Sequence, residues 1–323
     1  MDLLSLVRKE IVRVLWADFK SDFSLAQVIE EKLNERKETL LLDYLEIFDL
    51  PGHETGLSVL QNIFELVGFE KRGAGSDTLN KTHFIWMAES ESEKRSLGDA
   101  LPQIVLGEFV TRDLSFPLQS LVSKYANHEV QAPIARIREL VAKCQLGDEK
   151  SVTELVQIIS SFVTGRAHRE ITKAEFETAS HENSFLARKL LNTRKLERFF
   201  IGINNFKTLL TLNEVNDFLL SQCGADLETH KGSYTLGGVE TGLVRSVTKE
   251  ESIPKVIAGG VIITKGESLG FVSRTPLLKS VNRPQLWSDH FRGMTSASTA
   301  STESGNSTNL NLTENSTKSQ ISG

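Results

Sequence analysis

The order strand, helix, strands occurs twice along this chain, and that recurrence restricts the fold more than any single motif. Leu40 to Leu50 is an apolar run interrupted by Asp43, Glu46 and Asp49, which reads as a strand ended by Pro51-Gly52. Thr55 is placed to cap a helix whose buried face is Leu57, Leu60, Phe64 and Val67, with Gly68 as its left-handed stop. After a turn at Gly73 to Gly75, Thr82 to Met87 and Ile104 to Phe109 read as strands. The order then returns. Phe199 to Ile203 is short, apolar and β-favouring, and Thr211 with Glu214 forms a capping box for a helix ending at Gly224. Ser233 to Leu236, Gly242 to Val247 and Lys255 to Thr264 complete that second unit. The halves agree in order and not in letters, a weak internal repeat. The fold expected is α+β: two βαβββ-like halves forming a curved mixed sheet around a central cleft, with N-terminal and middle helices packed outside.

The remaining segments fit around those halves. Residues 1–39 read as two amphipathic helices, with Ser24 as a cap for the second. The first half is 40–115 and the second 196–293. Between them, 116–195 reads as helical: one helix opened by Ser115 and Pro117, others over Pro133 to Cys144 and Val152 to Phe162, and one running from the Thr172/Glu175 capping box toward Leu191. Residues 1–293 are therefore expected to form a single domain. Residues 294–323 are rich in Ser, Thr and Asn, cannot offset their ordering entropy by burial, and are expected to be disordered.

Composition narrows the function classes. The 323 residues are 39% hydrophobic and 24% charged with a net charge of −5, and basic residues are interspersed with acidic ones, so no polycationic face for nucleic acid is expected. No stretch approaches the ~18 apolar residues of a membrane span, and the first residues lack a secretory apolar core, so the expectation is a cytoplasmic protein. Cys144 and Cys223, far apart and without a C-x-x-C partner, are expected to be reduced thiols. The histidines show no paired metal-ligand spacing, and the Gly237-Gly238 and Gly259-Gly260 pairs precede no phosphate-loop lysine and read as turns.

Several stretches carry a family likeness: Leu101-Pro102-Gln103-Ile104-Val105-Leu106-Gly107-Glu108-Phe109 with Asp113-Leu114-Ser115, Gly68 and Gly73, Gly165-Arg166, and Phe199 through Asn204 to Phe218. On these the chain resembles the 2-oxoadipate dioxygenase/decarboxylase family, whose fold is similar to the vicinal-oxygen-chelate superfamily. The likeness spans roughly Trp16 to Thr295 and is looser beyond Gly224. It implies Fe(II) held by two histidines and a glutamate, and conversion of 2-oxoadipate and O2 to 2-hydroxyglutarate and CO2. Such a facial triad leaves open positions for a 2-oxo acid and O2.

Laid onto this sequence, the resemblance puts non-ligands at all three metal positions. After Asp43 the first histidine position holds Tyr44, the second falls on Arg198, and the glutamate position, counted back from Arg274 and Pro276, is Gly270. The position of the arginine that would hold a substrate carboxylate is Phe48. A guanidinium stays cationic and opposes a metal, and glycine has no donor side chain. The leading expectation is a degenerate member without Fe(II), needing no cofactor, that acts as a small-ligand-binding or interaction module. Its ligand would be a small anionic metabolite such as a 2-oxo acid or dicarboxylate, or its partner another protein. Arg198 is a candidate to hold such an anion, against the alternative of a structural ion pair. The competing expectation is an active Fe(II) dioxygenase with displaced ligands, for which His53, His83, Glu267 and Glu46 are the nearest substitutes. A third is metal-independent chemistry with Tyr44 or Glu108 as acid or base.

Overall fold

The structure, a computed structural model, describes residues 2–90, 100–126, 131–165, 170–192, 195–229, 232–238, 243–250 and 252–274. The tail from residue 294, Pro276 and Arg166 lie outside the described residues.

Helices α1 (Leu3–Asp22) and α2 (Ser24–Glu35) open the chain. The first half follows as β1 (Leu41–Asp49), α3 (Leu57–Leu66), β2 (Phe69–Asp77), β3 (Thr82–Glu89) and β4 (Gln103–Phe109). The middle is α4 (Phe116–Ala126), α5 (Ile134–Gln145), α6 (Lys150–Thr164), α7 (Lys173–Glu182) and α8 (Ser184–Leu191). The second half is β5 (Leu196–Gly202), α9 (Leu212–Gln222), β6 (Leu236–Gly238), β7 (Leu243–Val247), a hairpin of β8 (Ser252–Ile257) and β9 (Gly260–Lys265), and β10 (Leu269–Arg274). No helix among the described residues is long and apolar enough to cross a membrane.

The main sheet has eight strands in the order β2-β3-β4-β1-β5-β10-β7-β6. Reading outward from the centre, β1 pairs parallel with β4, β4 antiparallel with β3 and β3 antiparallel with β2. On the other side β5 pairs parallel with β10, β10 antiparallel with β7 and β7 antiparallel with β6. The two halves thus repeat one pairing scheme about a pseudo-two-fold axis at the antiparallel β1–β5 junction. The curled sheet makes a half-barrel. Its convex face carries Leu45, Ile47, Ile85, Ile104, Leu106, Phe199, Ile201, Leu269 and Phe271, which pack with α1, α2, α3, α5, α6 and α9 into the main core. Each such side chain taken fully out of water contributes roughly 1.5–3 kcal/mol, which is why alternation along β1 and β5 fixes which face looks into the cleft.

Five local expectations are corrected. Lys255 to Thr264 does not continue the second half; Ala258-Gly259 turns the chain there, with Gly259 at φ +95°, and makes the separate β8–β9 hairpin. The strand that closes the half is β10. Gly73 to Gly75 is not a turn: both glycines lie in β2 opposite Trp86 and Phe84, whose rings occupy the space a Cβ would take. Thr55 does not cap α3. Its N-cap is Gly56, and the N-terminal N–H groups are served by acids from strand ends instead. Asp49 accepts from Gly56 N at 3.0 Å and from the Thr55 hydroxyl, and Glu108 accepts from Leu57 N at 2.8 Å. Ser24 is the first residue of α2, whose cap is Phe23. The helix opened by Thr172 stops at Glu182, because the extended Asn183 turns its side chain to accept from Leu186 N (2.9 Å) and so caps a new helix, α8. Both capping boxes, at Thr172/Glu175 and Thr211/Glu214, are formed, and Cys144 and Cys223 are buried free thiols.

Candidate functional site

Residues in register on neighbouring strands share a face, so one row across the centre of the concave face can be read from the pairing. Gln103 of β4 is paired with Tyr44 of β1, Tyr44 with Phe200 of β5, and Phe200 with Gly270 of β10. Under the pseudo-two-fold, Tyr44 corresponds to Phe200 and Gln103 to Gly270. The Tyr44 and Phe200 rings stack at 4.1 Å between centroids and 13° between planes. A Cβ on Gly270 would fall inside the Phe200 ring, so that ring fills the space where a side chain at 270 would stand. Tyr44 and Gly270 thus lie in one row with Phe200 between them, and Arg198 lies two positions along β5.

Aromatic rings line the rest of this face. Phe48 lies over Gly107, Trp86 over Gly73 and Phe84 over Gly75, and Phe84, Trp86, Val105, Leu243, Val247 and Val272 cluster with Tyr44 and Phe200. Phe48 also makes an edge contact with Phe185 at 5.1 Å. Burial raises the Tyr44 phenol above its ordinary range, although the nearby Arg245 guanidinium opposes this. Gln103 is 2% exposed, and among the described residues neither its amide oxygen nor its amide nitrogen has a hydrogen-bond partner.

The next row holds the charges. Glu46 is paired in register with Arg198. The Arg198 guanidinium sits among three carboxylates: Glu46 (3.5 Å), Glu250 (3.4 Å) and Glu197 (3.6 Å). Glu197 also pairs with Arg188 and Lys189 of α8, and Arg188 reaches Glu250 at 2.9 Å. Burial works to raise Glu197, but Arg188, Lys189 and Arg198 together hold it well below the ordinary carboxylate range. Glu46 goes the other way. Its burial outweighs the pull of Arg198 and Arg245 and raises it. Arg198 is thus embedded in a structural ion network, the arrangement in which a buried guanidinium is balanced by several acids.

The two residues from which the family positions are counted meet across the sheet. Arg274 donates from Nε to Asp43 at 2.8 Å and from a terminal nitrogen to the second carboxylate oxygen. Asn204 binds the same strand end, donating to the Arg274 carbonyl (2.7 Å) and accepting from its N–H (2.8 Å). These contacts tie β1, β5 and β10 together at one end of the row.

The displaced-ligand candidates do not converge. His53 is at the surface beside Glu54 (3.0 Å), His83 on β3 faces Glu108 (3.1 Å), and Glu267 lies in the loop before β10. Glu108 is committed to the start of α3. Among the described residues no group of three or more His, Cys, Asp or Glu side chains could hold a metal ion. Fe(II) in a facial triad needs two imidazoles and a carboxylate on one centre, and the Tyr44, Phe200, Arg198 and Gly270 set does not fit that ion.

The paired βαβββ halves closing a half-barrel define a fold of the glyoxalase, or vicinal-oxygen-chelate, class. Solved structures that share it include a protein assigned to the glyoxalase superfamily from Ralstonia eutropha JMP134 (11% identity, 84% of this chain and 83% of that one, TM-score 0.71). The hydroxyglutarate synthase of Oryza sativa in complex with 2-oxoadipate is similar over 92% of this chain and 95% of that one (16% identity, TM-score 0.65). The uncharacterized protein YdcJ from Shigella flexneri, which includes domain DUF1338, matches over 90% and 83% (13% identity, TM-score 0.62). At these identities the likeness is one of fold. No family model matches the chain, and no curated protein does.

Proposed function

We propose that this chain is a glyoxalase-fold protein that works without an Fe(II) triad and uses the concave face of its half-barrel to bind a small anionic metabolite. One observation carries the reading: the Phe200 ring, stacked on Tyr44, fills the space above Gly270, where the resemblance would place a carboxylate ligand. Glycine and phenylalanine supply no donor atom there, and the guanidinium of Arg198, two positions along β5, opposes a metal. The complex of the rice hydroxyglutarate synthase with 2-oxoadipate makes 2-oxo acids and dicarboxylates the first ligand class to try. The same likeness supports the competing reading, an active dioxygenase with displaced ligands. We place the protein in the cytoplasm, where Cys144 and Cys223 would stay reduced.

Anaerobic Fe(II) loading, with bound iron counted per chain and O2 uptake followed on adding 2-oxoadipate, separates the two readings. The expected result is no stoichiometric iron and no uptake from a cooperatively melting protein. One tightly held iron with substrate-dependent uptake would establish the dioxygenase instead.

A further inference from the structure

Two guanidinium groups reach the central rows of the concave face, and their surroundings differ. Arg198 is enclosed by Glu46, Glu197 and Glu250. Arg245, on β7, is only partly buried, and among the described residues no carboxylate forms an ion pair with it. It is paired in register with Val272 of β10, beside the central row. Its guanidinium carbon lies 5.9 Å from the Phe200 ring centroid, and its charge acts on the stacked Tyr44 phenol and on the buried Glu46 carboxyl. A partly buried guanidinium over an aromatic ring, with no carboxylate in ion-pair contact, is a site for a planar anion.

A second, independent observation points to a ligand on the same face. On the other side of Tyr44 in the central row lies Gln103, buried with neither amide atom satisfied. A buried amide with no partner costs stability that an apolar side chain of the same size would not, and a bound ligand is one source of the missing partner. The stacked Tyr44 and Phe200 rings lie between Arg245 and Gln103 and offer a flat apolar bed.

We propose that Arg245, and not Arg198, binds the anionic end of the cleft ligand, and that the ligand is a small carboxylic acid whose carbon body covers the Tyr44–Phe200 rings and whose second polar group pairs with the Gln103 amide. This rests on the reading of the concave face as a small-anion site and names the residues that would make it one. Arg198 keeps its structural role.

The test is calorimetric titration of the full chain with adipate, 2-oxoadipate and inorganic phosphate in the presence of a chelator, with melting curves for every variant. Wild type should bind a dicarboxylate more tightly than phosphate. Arg245→Gln should lose at least tenfold in affinity with its melting temperature unchanged. Gln103→Leu should also lose affinity while melting at the same or a higher temperature, an outcome that a purely structural glutamine would not give. Arg198→Gln should instead lower the melting temperature. Wild-type protein that binds none of the three probes would overturn the small-anion reading as a whole. Dicarboxylate binding that survives Arg245→Gln within twofold would overturn the Arg245 assignment alone, and equal affinity for phosphate would reduce the site to a bare cation without a bed for carbon.

Discussion

The rings of Tyr44 and Phe200 stack across the β1–β5 junction, on the pseudo-two-fold that relates the halves, and the second ring covers Gly270 on the next strand. Here the axis is filled by carbon. The electrostatics are displaced one row to either side, to Glu46 and Arg198 in one direction and Arg245 in the other.

Substitution of Gly270 by alanine should destabilise the chain by about 1–3 kcal/mol, because the new methyl enters the Phe200 ring. Phe200→Ala alone should cost about 3–5 kcal/mol through the cavity it leaves against Tyr44. The pair should cost clearly less than the sum, since the methyl then occupies vacated space. Urea denaturation of the four proteins measures the coupling, and strict additivity would contradict the contact.

Asp49 serves the start of α3 and the buried ammonium of Lys195, 3.2 Å away. Asp49→Ala should cost about 3–5 kcal/mol, because it removes the carboxylate facing a buried cation. Thr55→Val removes only the hydroxyl that donates to Asp49 and should cost about 1 kcal/mol. Equal losses for the two would mean that the ion pair contributes nothing.

Burial alone would raise Glu175, yet hydrogen bonds from Lys124, Thr172 and Tyr125 bring it down to about 2. A carboxyl lowered in the folded state stabilises above its unfolded value near 4.5 and loses that contribution as pH falls toward 2. Glu175→Gln should therefore be less stable than wild type at neutral pH, by on the order of 2 kcal/mol, with the gap closing through that acid window. Melting curves at stepped pH would show a constant gap if the network were absent.

Glu46 titrates with the opposite sign. Its carboxyl is raised by burial, so the contribution of its neutral form is complete below the ordinary value of 4.5 and is lost as pH rises through the raised folded value. Glu46→Gln should match wild type near pH 4 and exceed it in stability at pH 8, because the amide never has to ionise. Arg198 retains Glu197 and Glu250 in that variant. A stability difference that does not grow with pH would show that Glu46 ionises at its usual value.

The halves, the order of their elements and most helices were legible because they are written in local patterns: apolar periodicity, two capping boxes, and the glycine at Gly68 with φ +93°. The errors fell where a residue answers to a partner remote in sequence. Gly73 looks like a turn glycine until Trp86 is laid across it from the next strand. Thr55 looks like a cap until Asp49 and Glu108 arrive from two strand ends. The row that crosses the sheet centre was written only in part in local letters. Tyr44 and Gly270 do share a row, but the β1–β5 register, with its bulges, is invisible in letters, and it pairs Tyr44 with Phe200 and Arg198 with Glu46. Gln103 and Arg245 carried no signal at all, since an amide without a partner and a cation without an acid are properties of surroundings.

The mutual fit of Phe200 and Gly270 also decides which substitutions the chain can accept. An acid at 270 has no room while the ring is there, and removal of the ring leaves Tyr44 without its stacking neighbour. Each change is harmful until the other has been made. A change to a carboxylate at 270 therefore has to cross a less stable intermediate, so the two residues together behave as a ratchet.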